Sequence, residues 1–99
     1  MKPLLDGFDK AFENKTRLAI MSMLVVNTTM DFNTLKEMLQ ATDGNLASHI
    51  TALEKAAYIE VRKGFVGRKT NTTYKATKLG IQAFKNHIDS LEKFIKNID

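Results

Sequence analysis

The chain has 99 residues, no cysteine and a formal charge of +4, from 15 lysines and arginines against 11 aspartates and glutamates. This length predicts one domain with a single modest core, and the absence of cysteine excludes disulfides and thiolate metal sites. The longest apolar run, residues 18–26, is too short to span a bilayer, and the N-terminus turns acidic at Asp6, too early for a signal peptide. We therefore expect a cytoplasmic globular protein.

Helices are predicted for most of the first 40 residues. Apolar residues spaced three and four apart indicate a helical arm over residues 1–13 and a helix over about 14–27, capped near Asn14 or Thr16. Asp31 is the expected cap of a short helix that follows. The predicted inner face of that helix consists of Leu35, Met38 and Leu39.

A helix predicted to begin after Thr42 has two unlike faces. Its expected buried stripe is Leu46, Ile50, Leu53 and Ala57. The opposite side carries small or hydrogen-bonding residues and no acid, namely Asn45, Ser48, His49, Ala52 and Lys55. An amide such as Asn45 can pair with adenine, Ser48 tolerates several bases, and His49 can donate to a base or a phosphate. Backbone amides near Thr42 could bind a phosphate, although an ordinary solvated helix face has a similar composition.

The period of the pattern changes to two after Tyr58, which predicts a β-hairpin. The expected connection contains Gly64 and Gly67 and has a polar tip at 67–71. Residues 62–78 include six bases and no acid, whereas residues 1–61 have six bases and eight acids. A local cationic surplus attracts phosphates additively. In this hairpin, which we call the wing, the residues predicted to contact a nucleic acid are Arg62, Lys63, Arg68, Lys69 and Asn71. The alternative is a hairpin whose charges only keep the protein soluble.

The last predicted helix, capped by Thr77, carries a heptad-spaced apolar seam. The seam consists of Ile81, Phe84, Ile88, Leu91, Ile95 and Ile98. A small domain offers little core surface to so long a helix, so we expect the seam to meet a second copy of the chain. Leu4, Phe8 and Phe12 are expected to pack beside it at the dimer interface.

The order helix, helix, helix, hairpin, helix predicts a mainly α fold with a small β-hairpin, a winged helix-turn-helix. The whole chain, 1–99, is expected to be one domain. Within it we assign the N-terminal helical arm to 1–13, the winged helix-turn-helix core to 14–76 and the dimerisation helix to 77–99.

Several spaced blocks resemble small winged-helix transcriptional regulators of bacteria and archaea related to the MarR and ArsR groups. They are TDGNLASHI at 42–50, LEK at 53–55, YIEV at 58–61, FVGRK at 65–69 and TTY at 72–74, with Thr77, Gly80 and the first-helix residues Arg17, Ile20 and Leu24. The resemblance implies a homodimer on operator DNA, with helix 42–57 in the major groove and the 64–71 wing at the flanking backbone or minor groove. Two departures are Ala57, where such proteins usually have glycine, and Thr70, near which they usually have proline.

The function expected from these features is sequence-dependent DNA binding at a promoter as a transcriptional regulator. The alternative is a protein-interaction module that does not bind DNA. Metal sensing is disfavoured, because His49 and His87 are the only histidines and a sensor needs three or four ligands. No catalytic set or cofactor motif is present, so we expect neither an enzyme nor a cofactor, and a small-molecule effector is left open without a place.

Overall fold

The computed structural model describes residues 7–97, which form four α-helices and a three-stranded antiparallel sheet. The helices are α1 (Lys15–Val26), α2 (Phe32–Leu39), α3 (Asp43–Lys55) and α4 (Lys78–Lys96), and the strands are β1 (Met30–Asp31), β2 (Ile59–Val66) and β3 (Lys69–Ala76). This arrangement confirms the predicted winged helix-turn-helix with a long C-terminal helix. Over residues 7–13 the chain forms a single 3-10 turn, Lys10–Phe12, rather than an α-helical arm.

Side-chain caps fix where the helices begin. Asn14 accepts hydrogen bonds from the backbone amides of the first turn of α1, and Asp31, Thr42 and Thr77 do the same for α2, α3 and α4. Each cap satisfies an amide that has no partner within its own helix. The hydrogen bonds from Thr34 also lower the pKa of the Asp31 carboxyl.

The core lies between the sheet and the helices and contains residues from all parts of the chain. Its buried apolar members are Phe12, Ile20, Met21, Leu24, Met30, Leu35, Leu46, Ile50, Leu53, Ile59, Tyr74 and Ala76. Three residues that were expected on inner faces are not among them. Leu39 is partly buried and packs against the core, as Phe32 does, whereas Met38 is 63% exposed. Ala57 lies beyond the end of α3, exposed and left-handed at φ 63°.

The sheet has the strand order β1-β3-β2. The two residues of β1 pair with Tyr74 and Thr73 of β3, a strand that the sequence pattern did not predict. The hairpin strands are longer than expected, because β2 and β3 stay paired from Ile59↔Ala76 to Val66↔Lys69. Only Gly67 and Arg68 remain as the turn. Gly67 takes φ +64° at the first turn position, as a type II′ turn requires.

The first turns of α4 are anchored to the body of the domain. Gly80 is buried so close to the Tyr58 carbonyl that a Cβ at this position would overlap its oxygen. His87 is 4% exposed, and its Nδ1 accepts a 3.0 Å hydrogen bond from the Asp9 amide. This hydrogen bond joins the segment before α1, which contains Asp9, to α4. No helix within residues 7–97 is long and apolar enough to cross a membrane.

Candidate nucleic-acid interface

The outward face of α3 is a shallow concave surface of small side chains. Leu46, Ile50 and Leu53 point into the core, and the residues on the opposite side are all exposed. They are Gly44, Ala47, Ser48, Thr51, Ala52 and Lys55. Ser48 and Lys55 were predicted here. Thr51 was missed, although its spacing of three from Ser48 and four from Lys55 places it on the same face.

The other predicted residues of this helix lie beside that face. Asn45 is exposed on the flank of this face. The Thr42 hydroxyl accepts a 3.2 Å hydrogen bond from the backbone amide of Asn45, so the Thr42 side chain is the N-cap of α3. Asp43 forms a 2.7 Å ion pair with Lys36 of α2. The carboxylate that would have opposed a phosphate at the start of α3 is therefore paired with a cation.

His49 is half-buried and contacts Arg17 of α1. The Arg17 Nη1 lies 3.2 Å from His49 Nδ1, and its Nε donates to the Ala11 carbonyl at 2.6 Å. Arg17 thus joins α3 to the segment before α1. Sequence reasoning did not find this contact, because it depends on how α1 crosses α3.

The wing carries its cations on both faces. Arg62, Lys63, Arg68 and Lys69 are exposed, and Asn71 is half-buried opposite Gly64. Because side chains alternate along β2, Lys63 lies on the same face of the ribbon as the inward residues Ile59 and Val61, and Arg62 lies on the opposite face. Arg68 occupies the turn. The structure therefore brings the predicted cations to one ribbon without aligning them on one surface.

The cationic wing has little internal neutralisation. No acid lies between Glu60 and Asp89 in the sequence. Within residues 7–97, Arg62, Lys63, Arg68 and Lys69 form no ion pair. Their charge is available to an external anion.

These features have counterparts among known proteins. The sequence model of the winged helix DNA-binding domain matches residues 16–95. The chain belongs to this family. A protein of Methanocaldococcus jannaschii, MJ0432, is 37% identical over 90 residues, which cover 91% of this chain and 98% of that protein.

Solved structures of winged-helix regulators have the same fold. A transcriptional regulator homologue from Pyrococcus horikoshii superposes with a TM-score of 0.86 at 27% identity, over 97% of this chain and 93% of its own. A zinc-responsive MarR family member from Lactococcus lactis gives a TM-score of 0.65 at 15% identity, over 86% of this chain and 58% of its own, a likeness of fold. The family and fold are those of transcriptional regulators, not of enzymes, as the sequence indicated.

The residues expected at a dimer interface fall into three groups. Leu4 and Ile98 lie outside the described residues. Phe12 is 2% exposed and belongs to the core of its own chain, where its ring contacts Tyr58, Phe84 and His87, so placing it at an interface was wrong. The remaining residues, Phe8, Ile81, Phe84, Ile88, Leu91 and Ile95, are half-buried or exposed.

Phe8 packs edge-on against Phe94 and His87, and it therefore covers the inner side of α4. Ile81, Ile88 and Ile95, spaced by seven, form the adjacent stripe. Ile81 packs partly against the core, Ile88 is half-buried and Ile95 is 57% exposed. Both histidines already have partners in the fold, and no cluster of three potential metal ligands occurs within residues 7–97.

Proposed function

We propose that this winged-helix protein is a sequence-dependent, DNA-binding transcriptional regulator that acts as a homodimer at a promoter or operator. Helix α3 lies in the major groove, and the β2–β3 wing contacts the flanking backbone or minor groove. The observation that carries the proposal is the position of a cationic ribbon, with no acid after Glu60, next to a helix with an exposed face of small and polar residues.

The shape of α3 supports its placement in a groove. The major groove is about 12 Å wide and admits one α-helix. On the outward face of α3, Gly44, Ala47 and Ala52 keep side chains short, so the helix can approach base edges closely. Ser48 and Thr51 then supply hydroxyl groups that donate to or accept from the bases. Lys55, at the other end of the helix, can reach a phosphate.

The electrostatics of the wing support a backbone contact. Arg62, Lys63, Arg68 and Lys69 are exposed and form no ion pair within residues 7–97. Lysine and arginine on phosphates release condensed counterions, which gives sequence-independent affinity. Base-reading groups on α3 and phosphate-binding groups on the wing are the two parts that sequence-dependent binding requires.

A homodimer fits the unpartnered stripe on α4. A single helix reads only a few base pairs, and two-fold dimers place their two recognition helices about 34–36 Å apart, one turn of DNA. Ile81, Ile88 and Ile95 repeat every seven residues along α4 and are half-buried or exposed, so two copies can be held through them at a fixed spacing.

The decisive experiment is fluorescence anisotropy with a labelled random-sequence duplex at several salt concentrations. If each protomer neutralises about three phosphates, the slope of log K against log salt is about −5 for a dimer. Arg68→Ala with Lys69→Ala flattens the slope by about 2–4. The matched control is Lys93→Ala with Lys96→Ala, two exposed lysines at the far end of α4, which leaves the slope unchanged.

Binding-site selection from random DNA then locates the specificity. Ser48→Ala and Thr51→Ala each relax the preference at defined positions, by about 1–3 kcal/mol where the hydroxyl makes a good base contact. Absence of binding to any duplex at low salt would instead favour the protein-interaction module.

A further inference from the structure

Two large apolar side chains stand in solvent next to the turn of the wing. Phe65 is 75% exposed and Val66 is 67% exposed, and they are the last two residues of β2 before Gly67. Their cross-strand partners are Thr70 and Lys69, neither of which covers a phenyl ring. The fold therefore gains little burial from Phe65 at this position.

Phe65 and Val66 point to opposite sides of the ribbon, because side chains alternate along a strand. Phe65 shares its face with Ile59 and Val61, which lie at the other end of β2, where α3 packs against the strand. Val66 lies on the reverse face. Of the two, Phe65 therefore projects from the side of the wing that also holds α3.

Basic residues lie near Phe65 along the ribbon. Lys63 precedes it by two residues on the same face and Arg68 occupies the turn, whereas Lys69, the partner of Val66, lies on the reverse face. An uncovered apolar group beside exposed cations does not suit an apolar partner. It suits a polyanion that presents apolar surface between its charges, as stacked bases do between two phosphate backbones.

We infer that Phe65 is an apolar wedge that enters the minor groove and opens a base step of the bound duplex. This inference rests on the proposed function. Proteins that bind the minor groove insert phenylalanine and similar residues between base pairs, which unstacks the step and bends the DNA. Lys63 and Arg68 neutralise the backbones on either side of the opened step. Pyrimidine–purine steps such as TpA are the easiest to unstack, so the wedge adds a preference for them.

The test uses two duplexes of about 20 base pairs and equal base composition, one with several TpA steps and one with stiff A-tracts. Each carries 2-aminopurine, whose fluorescence rises when it unstacks, and a dye pair on its ends that reports bending. At saturating wild-type protein we expect two increases on the TpA duplex, in the fluorescence of 2-aminopurine and in the resonance energy transfer between the two end dyes. On that duplex, Phe65→Ala abolishes both changes and weakens binding about 10-fold.

Val66→Ala is the matched control, since it removes an equally exposed apolar group from the opposite face. It retains the fluorescence change and the affinity of the wild type. Phe65→Leu, a smaller wedge, keeps part of the signal. Circular dichroism confirms that each variant is folded, which the exposure of both side chains predicts.

Several outcomes would overturn the wedge and leave the proposed function intact. They are wild-type binding without a rise in 2-aminopurine fluorescence, a Phe65→Ala variant that unstacks as the wild type does, and equal losses for Phe65→Ala and Val66→Ala. A change in sedimentation of Phe65→Ala without DNA would assign the ring to a contact between copies instead. Failure of the wild type to bind either duplex would contradict the proposed function itself.

Discussion

Arg17 of α1 and His49 of α3 are joined by a 3.2 Å contact between a guanidinium nitrogen and the imidazole Nδ1. A guanidinium can only donate hydrogen bonds, so Nδ1 is the acceptor and the proton of the neutral ring lies on Nε2. The Nε of Arg17 donates a 2.6 Å hydrogen bond to the Ala11 carbonyl. We therefore expect Arg17 to position His49 as a hydrogen-bond donor at the flank of the proposed DNA-binding face.

We expect nitrogen NMR of the free protein to show His49 as the Nε2–H tautomer. Arg17→Gln removes the donor at this distance and produces a mixture of tautomers. His87 is an internal control, because its Nδ1 accepts from the Asp9 amide and this contact does not involve Arg17. A wild-type His49 with its proton on Nδ1 would contradict the assignment, as would a His87 signal that changes together with it.

Local signals in the sequence were sufficient to predict the four α-helices and the hairpin. Caps at Asn14, Asp31, Thr42 and Thr77 depend on neighbours within four residues, and the stripe of α3 depends on its own periodicity. The strand β1 could not be predicted in this way. Its two residues are stabilised by pairing with β3, more than 40 positions later in the chain.

Two expectations from the sequence differ from the structure, the place of Phe12 and the length of the hairpin strands. On α4 the heptad seam lies next to a second stripe, formed by Gly80, His87 and Phe94. The periodicity of the sequence does not say which stripe packs on Phe12. In the structure the Phe12 ring contacts Tyr58 and His87, so the stripe that contains His87 packs inward. In the wing, the glycines and polar residues of 64–71 predicted a loop. Most of them form paired strands instead, because a ribbon exposed on both faces has the same polar composition as a loop.

Tyr58 should make the stability of the protein sensitive to high pH. Its hydroxyl donates to the Asp9 carboxylate at 2.5 Å, and this bond, with burial and the carboxylate charge, raises the pKa of Tyr58 to about 12. In the unfolded chain a tyrosine ionises near pH 10. The stabilisation is therefore complete below about pH 10 and declines as the pH rises toward 12.

Urea unfolding of the wild type and of Tyr58→Phe between about pH 8 and pH 11 measures this effect. The wild type loses free energy of unfolding over this range, and Tyr58→Phe has a shallower slope. Some slope remains, because burial and the charge of Glu54 also raise the pKa of Tyr74. Identical slopes would show that the Asp9 contact does not hold the proton on Tyr58.

Two helical glycines should respond in opposite ways to a methyl group. Gly80→Ala forces a Cβ into the Tyr58 carbonyl, and backbone cannot yield as a flexible side chain can. We expect a loss of at least about 2 kcal/mol in the free energy of unfolding. Gly44→Ala, on the open face of α3, meets nothing within 4 Å and should be neutral or stabilising by up to about 1 kcal/mol. A Gly80→Ala variant as stable as the wild type would mean that α4 does not approach Tyr58 this closely.

Ala57 is strained at φ 63°, the left-handed conformation in which glycine is usual. The residue is exposed, so Ala57→Gly leaves no cavity. We expect a gain of about 0.5–1 kcal/mol, the relief of strain less the added freedom of the unfolded chain. Its neighbour Ala56 has φ −75°, and Ala56→Gly should lower the free energy of unfolding. The same sign for both variants would exclude the left-handed turn at Ala57.

The outer stripe of α4 should decide whether the protein assembles. Ile81, Ile88 and Ile95 remain partly or largely exposed after the core is complete. Ile88→Asp places an unpaired carboxylate in the middle of a two-copy interface, which costs several kcal/mol by the usual penalty for a buried charge. We expect light scattering to show a dimer for the wild type and a monomer for Ile88→Asp. The monomer still binds DNA weakly but loses its preference for palindromic sites.

Asn86→Asp is the control for charge, since it adds the same carboxylate to the exposed side of α4 away from the stripe. This variant should remain dimeric. Retained helix content in Ile88→Asp separates loss of assembly from loss of folding, because Gly80, His87 and Phe94 anchor α4 within one chain. A wild type that is monomeric at micromolar concentration would exclude the dimer. It would also turn attention to a different protein as the partner of this stripe.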